Sequence, residues 1–120
     1  MSGPGFPADF EAEIVFVADD DGRARPAVQG DRPDMRYQTY EPDTAWMIWP
    51  RFLDGNGREL PDGARVPPVA RAHMFIPNRD LRRDVHRGRI DIGTDFELVE
   101  GKRTVATGRV TAILALRKDP

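Results

Sequence analysis

Apolar and polar residues alternate along much of the chain, which is the pattern of β-strands with one buried face. The clearest case is the last third, residues 94–116, where two β-like runs flank residues 100–103. Gly101 supplies the backbone freedom that a tight reversal needs. In the second run, the even-numbered positions from 106 onward are apolar or glycine: Ala106, Gly108, Val110, Ala112, Leu114 and Leu116. The pattern predicts a β-hairpin, which needs further strands because two strands alone are marginal in water.

Four earlier runs also read as strands, separated by turns rich in glycine and proline. They are Phe10–Ala18, Asp34–Tyr40, Ala45–Phe52 and Val66–Ile76. Between Pro77 and Thr94 two alternatives stay open: a loop, or a short helical turn followed by a small strand at Ile90–Ile92. No pattern predicts a helix longer than about two turns. Short strands at regular spacing favour an all-β, antiparallel barrel or sandwich with little or no helix.

The length and composition fit one small domain. The chain has 120 residues, of which 39% are hydrophobic and 32% charged, which is typical of a soluble domain with a large polar surface. Residues 1–8 are expected to form a flexible N-terminal lead-in and residues 9–120 a single domain. The absence of cysteine excludes disulfides and thiolate chemistry. Without a signal segment or a long apolar run, we expect a cytoplasmic protein that binds no membrane.

The sequence offers no residue-level support for catalysis. Neither a phosphate-binding glycine loop nor a dinucleotide fingerprint is present, so we expect no nucleotide and no cofactor. His73 and His86 have no second ligand at metal-binding spacing, and both are predicted to be exposed polar residues without a metal. We therefore expect no catalytic residue, although an undetected hydrolase with a deep pocket remains a third hypothesis.

A cluster of arginines gives the least ordinary signal. Residues 78–89 contain two aspartates and five arginines, which are Arg79, Arg82, Arg83, Arg87 and Arg89. One interpretation is a solvated loop with internal Arg–Asp pairs. The other is a binding site for an anionic partner, either a phosphate backbone or an acidic protein, because arginine supplies bidentate donors to both.

Two tryptophans, Trp46 and Trp49, lie three residues apart in a predicted strand. They are therefore expected on opposite faces. One is expected in the core and the other at an interface, where tryptophan is enriched.

Several short sequence segments, in the same order, resemble the sequence of the C-terminal (third) β-barrel domain of elongation factor Tu. They are residues 10–14 (Phe-Glu-Ala-Glu-Ile), Gly22-Arg23 with Pro26, residues 30–33 (Gly-Asp-Arg-Pro) and residues 96–110 (Phe-Glu-Leu-Val-Glu-Gly-Lys-Arg-Thr-Val-Ala-Thr-Gly-Arg-Val). The resemblance spans about residues 9–116, which is almost the whole chain. Two insertions separate the chain from the family pattern, one with residues 54–57 and one between Pro77 and Thr94 that carries the arginines.

The resemblance implies a closed, six-stranded antiparallel β-barrel that stands alone, without the GTPase domain or the middle barrel. In that family the domain contacts its neighbouring domains, the tRNA backbone and the nucleotide-exchange factor. Some positions match the family's tRNA-facing turn and its arginines, and with neighbouring residues they form the inherited rim. These are Arg23, Arg25, Arg32, Glu100, Gly101 and Arg103.

These observations predict a non-catalytic binding module. A protein partner, one from the translation apparatus included, is the first hypothesis, with the five arginines and the inherited rim as the contact residues. RNA binding along its backbone through residues 79–89 is the alternative. The oligomeric state stays open, with a dimer through a free sheet edge as one option.

Overall fold

The C-terminal hairpin contains the longest strand that the structure describes. In the computed structural model, which describes residues 4–17 and 27–118, its strands are β8 (Asp95–Glu100) and β9 (Arg103–Ile113). They pair antiparallel, and Gly101 closes the turn with φ 62°, a conformation that favours glycine. The prediction of a hairpin around residues 100–103 is confirmed.

The described part of the chain contains seven further strands and one α-helix. They are β1 (Phe10–Phe16), β2 (Ala27–Val28), β3 (Asp34–Tyr37), β4 (Trp46–Met47), β5 (Trp49–Phe52), β6 (Arg65–Val66), β7 (Val69–Phe75) and α1 (Arg79–Asp84). A 3-10 turn follows at His86–Gly88. The all-β prediction with little helix is confirmed. No helix in this part of the chain has the length and apolar character of a membrane span.

Seven of these strands form one antiparallel sheet that curls into a half-barrel. The order across the sheet is β4-β3-β8-β9-β1-β7-β5, and β2 pairs separately with β6. The register shifts between β1 and β9 and between β8 and β9 mark bulges, which increase the local twist and bend. The sheet therefore curves around one buried face.

The predicted alternation of β9 is confirmed up to Val110 and is wrong beyond it, because the bulge after Val110 pairs Ala112 with Glu11 and places Ile113 opposite Phe10, against the core. Phe10, Ala12 and Ile14 are buried on the concave face of β1, opposite Val110 and Gly108 of β9. The core side chains from all the long strands meet in one cluster. This burial removes apolar surface from water and is the main stabilising contribution to the sheet.

Some predicted boundaries are wrong, for reasons of backbone geometry. The second predicted strand ends at Tyr37 rather than Tyr40. The run Ala45–Phe52 divides into β4 and β5 at Ile48. The run Val66–Ile76 is interrupted at residues 67–68, two prolines that supply no N–H to a ladder, so Val66 belongs to β6 and Val69 begins β7. Ala18 lies outside the described residues.

Part of the expected lead-in packs on the domain. The Phe6 ring lies 6.0 Å from the Phe75 ring, edge to face, and the Arg79 guanidinium carbon lies 4.1 Å from the Phe6 ring centre. The backbone of Ala8 accepts a hydrogen bond from Ala115 N–H. Residues 6–8 therefore pack on the sheet through Phe6 and contact residue 115, which follows β9, through Ala8.

Gly108 provides a direct test of the core packing. An added Cβ would lie 2.3 Å from the Phe96 ring, which covers this glycine from the neighbouring strand. We expect Gly108→Ala to lower the free energy of unfolding by about 2 kcal/mol, since Phe96 must move in a packed core. Urea denaturation measures the change. Gly88→Ala is the matched control, because nothing lies within 4 Å of its added Cβ, and equal effects of the two substitutions would contradict the packing described here.

Candidate functional site

The arginine-rich segment folds as a helix and turn docked at one end of the sheet. Asn78 caps α1, its side-chain oxygen accepting from the N–H groups of Asp80 and Leu81 at 3.1 Å. Of the two sequence alternatives, the short helical turn is confirmed. The small strand at residues 90–92 is absent from the strands that the structure describes.

A buried carboxylate anchors the helix. Asp9 is 0% exposed, and its Oδ1 accepts from Arg82 Nε at 2.7 Å. Its Oδ2 accepts from Ile76 N–H at 2.8 Å and from Arg79 NH1 at 3.2 Å. A buried charge is costly unless it is paired and hydrogen-bonded, and this one has both an ion-pair partner and a backbone donor. Asp9 therefore fixes α1 to the start of β1.

Most of the arginines make contacts within the chain. Arg82 and Arg87 donate to backbone carbonyls of residues 115–118, so they join the helical segment to the C-terminal tail. Arg82 is 2% exposed. Arg83 is exposed and pairs with Asp84 at 2.9 Å. The interpretation of internal Arg–Asp pairs thus describes part of this segment, and carbonyl contacts describe the rest.

Arg89 differs from the other four arginines because it lies near three aromatic rings, whereas Arg79 lies over the single ring of Phe6. We call its surroundings the arginine–aromatic cluster, which comprises Tyr37, Tyr40, Trp46, His86 and Arg89. The Arg89 guanidinium carbon lies 5.2 Å from the Tyr40 ring centre, 5.7 Å from that of Tyr37 and 5.8 Å from that of Trp46. These distances are within the range of cation–π attraction.

The carboxylate of Glu41 contacts the cluster. Glu41 Oε1 accepts from Arg89 NH2 at 2.9 Å. Glu41 has φ 44°, in the left-handed region that side chains other than glycine rarely adopt. It belongs to the exposed connection between β3 and β4, in which Tyr40 is 45% exposed. The cluster is therefore buried on its sheet side and reaches solvent through Tyr40 and Glu41.

His86 is the buried member of the cluster, so the prediction of an exposed histidine is wrong at this position. It is 0% exposed, and its Nδ1 lies 2.5 Å from the Tyr37 hydroxyl. The Trp46 ring meets it edge to face, with 5.1 Å between ring centres. The 3-10 turn directs this side chain onto the end of the sheet, which the charged neighbours in sequence did not reveal. His73, in contrast, is partly exposed on β7.

Burial shifts the protonation of both hydrogen-bonded partners. Desolvation, helped by the positive charge of Arg89 and opposed by Asp9, lowers the pKa of His86 to about 4. Desolvation also raises the pKa of the Tyr37 phenol well above its usual range, against the opposing effect of Arg89. Both groups are therefore neutral near pH 7. With the phenol as donor to Nδ1, the imidazole proton lies on Nε2.

Two buried nitrogens of the cluster that can only donate, Trp46 Nε1 and Arg89 NH1, lack a partner among the described residues. Three of its nitrogen atoms are buried without a hydrogen-bond partner among the described residues: Trp46 Nε1, His86 Nε2 and Arg89 NH1. An unpaired buried donor costs about 1–3 kcal/mol, so buried polar groups are normally paired. The local chemistry therefore suits a ligand that supplies acceptors.

The inherited rim lies elsewhere along the same strands. Phe96, at the start of β8, pairs with Tyr37, whereas Glu100 and Arg103 flank the turn at the other end of β8. Arg32 lies over the Trp49 ring at 4.3 Å. The predicted site residues thus form separate groups rather than one surface. Arg23 and Arg25 lie outside the described residues.

Both tryptophans are partly buried rather than divided between core and surface. Trp46 packs against the hydrophobic core and joins the cluster. Trp49 carries Arg32 on its ring, and its Nε1 is buried without a partner among the described residues. The expected division into one core and one interface tryptophan is thus too simple.

The outer face of the sheet is largely paired within the chain. Arg36 pairs with Glu97 at 2.8 Å, and Arg109 pairs with Asp95 at 2.8 Å, each across neighbouring strands. Arg109–Asp95 is exposed and Arg36–Glu97 is partly buried. Exposed pairs contribute little to stability, but both pairs occupy charges of this face. No group of three potential metal ligands occurs in residues 4–17 and 27–118.

The site contains residues that sequence reasoning did not select. They are Asp9, Tyr37, Tyr40, Glu41 and His86, whereas Trp46 belongs to the tryptophan pair of which one member is expected at an interface. Tyr37 and Tyr40 have opposite parity in the predicted strand Asp34–Tyr40, and both lie near Arg89 because β3 ends at Tyr37. The position of Asp9 directly before an apolar strand is the sequence feature that could have indicated its role. A carboxylate buried at such a position needs a cation as its partner.

A comparison of the sequence with models of known protein families gives no match, and a comparison with curated proteins gives none either. The resemblance to the elongation factor Tu domain therefore stays a prediction. The function must be argued from the geometry of the site.

The anchoring role of Asp9 predicts a large effect of Asp9→Asn. Loss of the charge leaves the buried Arg82 guanidinium without its ion-pair partner, so we expect a loss of about 3–5 kcal/mol in the free energy of unfolding. Asp95→Asn is the control, because its pair with Arg109 is exposed and we expect a loss of about 0–1 kcal/mol. Urea denaturation compares the two, and a small effect of Asp9→Asn would contradict the anchor.

The buried His86 predicts a dependence of stability on pH. Its pKa is about 4 in the folded protein and near its ordinary value of 6.5 when unfolded, so the unfolded chain binds the extra proton first as pH falls. Stability is then complete above about pH 6.5 and falls between about pH 6.5 and 4. Between pH 7 and 4.5 we expect the wild type to lose roughly 2 kcal/mol more than His86→Gln, which does not titrate. Denaturation at both pH values tests this, and identical losses would refute it.

Proposed function

We propose that this chain is a non-catalytic binding module of the kind represented by the C-terminal domain of elongation factor Tu, and that it binds a protein partner through the arginine–aromatic cluster. The observation that carries the proposal is the position of Arg89 among Tyr37, Tyr40 and Trp46 at the solvent-facing end of β3. Tyrosine, tryptophan and arginine are the residues that dominate binding energy in protein interfaces.

The proposed fold is the closed, six-stranded barrel of that family. The two edge strands of the sheet, β4 and β5, are separated in sequence by Ile48 alone. If they are counted as one bent strand that pairs with β3 on one side and β7 on the other, the sheet order contains six strands. This continuity supports closure.

A protein partner is favoured over RNA because of how the arginines are used. A phosphate backbone requires several cations along a surface. Here Arg79 and Arg82 bind Asp9, Arg83 binds Asp84, and Arg87 binds the C-terminal tail. Arg89, whose carboxylate partner Glu41 is half exposed, is the one of the five that lies near three aromatic rings, and this setting suits a single acidic or aromatic anchor of a protein. The family resemblance makes a component of the translation apparatus the first partner to examine.

The experiment is affinity capture from cell extract, followed by mass spectrometric identification and reconstitution with the purified partner. We expect Tyr40→Ala and Arg89→Gln each to weaken binding at least about tenfold, as loss of an interface hot spot does. Arg109→Gln, a change of an exposed arginine on the outer face, is the matched control and should bind as the wild type does. Melting temperatures of all four proteins establish that each is folded.

Two outcomes would contradict the proposal. One is binding that survives both cluster substitutions. The other is binding that nuclease treatment abolishes and that falls steeply with added salt, which is the behaviour of a phosphate-backbone interaction.

A further inference from the structure

We infer that Glu41 is an internal substitute for a carboxylate of the partner, and that an acidic side chain of the partner displaces it from Arg89. The inference rests on the proposed function, since it names the chemistry of the partner and the regulation of the same site. It turns the arginine–aromatic cluster into a carboxylate-binding site that the chain itself blocks.

The contact between Glu41 and Arg89 is incomplete. Oε1 of Glu41 accepts from Arg89 NH2 at 2.9 Å, but Arg89 NH1 is buried without a partner among the described residues. Arginine binds a carboxylate best through two parallel N–H···O bonds. A carboxylate that approaches in a bidentate manner would therefore satisfy a donor that Glu41 does not.

Glu41 is also held at a conformational cost. Its φ of 44° is strained for a side chain other than glycine. The side chain of Glu41 is 50% exposed, whereas that of Arg89 is 22% exposed. The internal carboxylate can thus swing into water while the guanidinium stays in place, held by the rings of Tyr37 and Trp46.

The remaining surroundings of Arg89 select an acceptor. Trp46 Nε1 and His86 Nε2 are further buried nitrogens without partners, and the Trp46 and His86 rings are 5.1 Å apart. The hydrogen bond from Tyr37 to His86 fixes the ring that carries Nε2. Trp46 Nε1 can only donate, so it is a further unpaired donor of the cluster for a second carboxylate oxygen or for a water molecule bound to it.

Glutarate serves as the probe because it carries the carboxylate of a glutamate side chain without a protein. Titration is followed by the NMR signals of the Trp46 indole N–H and the Arg89 Nε–H. We expect saturable shifts in Glu41→Gln, with an affinity about fivefold above that of the wild type, which is the factor that loss of one exposed ion pair corresponds to. Asp43→Asn, a change of an exposed acid in the same connection, is the matched control and should titrate as the wild type does.

The double variant Glu41→Gln/Arg89→Gln should show no saturable shift. Equal glutarate affinity in the wild type and Glu41→Gln, or saturable shifts in the double variant, would overturn the inference. Inorganic phosphate that binds Glu41→Gln more tightly than glutarate does would overturn the choice of a carboxylate.

The failure of this inference can be told apart from the failure of the proposed function. If Glu41→Gln leaves glutarate and partner binding unchanged while Arg89→Gln abolishes partner binding, the internal substitute is refuted and the binding surface is retained. If glutarate binds Glu41→Gln as expected but the affinity for the partner is unchanged in Tyr40→Ala and Arg89→Gln, the carboxylate site is supported and the proposed partner-binding surface is refuted.

Discussion

The ion pair between Asp9 and Arg82 is the contact on which the arrangement of this end of the molecule depends. A carboxylate with no exposure to solvent is stable only if its charge is balanced and its oxygens are hydrogen-bonded. Arg82, Arg79 and the N–H of Ile76 meet both conditions. Because Asp9 directly precedes β1 and Ile76 directly follows β7, this one side chain fixes α1 to two neighbouring strands.

The ion pair between Asp9 and Arg82 determines which arginine is placed to bind a partner. Once α1 is docked, Arg82 and Arg87 reach the carbonyls of the C-terminal tail, and the 3-10 turn buries His86 against Tyr37. Arg89 is then placed beside the aromatic rings at the end of β3. A segment that is cationic in composition therefore serves mainly to attach α1 and the 3-10 turn to the sheet and to the C-terminal tail. Arg89, at the end of this segment, is the cation that lies beside the aromatic rings. This is why we place the binding site at Arg89 and propose a protein carboxylate as its ligand.

The regular part of the fold could be predicted from the sequence because it depends on local patterning. The alternation in β1 and β9 and the turn at Gly101 follow from the period of a strand and the conformational freedom of glycine. The half-barrel needs only that these buried faces meet. Closure into a barrel depends on whether Ile48 continues the ladder between β4 and β5, which no local pattern determines.

The site could not be predicted in the same way, because its contacts link residues far apart in sequence. Asp9 and Arg82, or Tyr37 and His86, have no shared periodicity that would connect them. The arginine run was visible in the composition, but the use of each guanidinium depends on which carbonyl or carboxylate the folded chain presents. The prediction of an exposed His86 followed from the absence of a second ligand at metal-binding spacing, whereas its burial follows from the docking of the turn.

The docked state of the arginine segment is tested most directly by hydrogen exchange at the arginine side chains, measured by NMR. The account predicts that Arg82 Nε–H, which is buried on Asp9, exchanges far more slowly than Arg83 Nε–H on the exposed face of the same helix. Equally fast exchange at both positions would mean that the segment is a solvated cationic loop, and it would contradict the account.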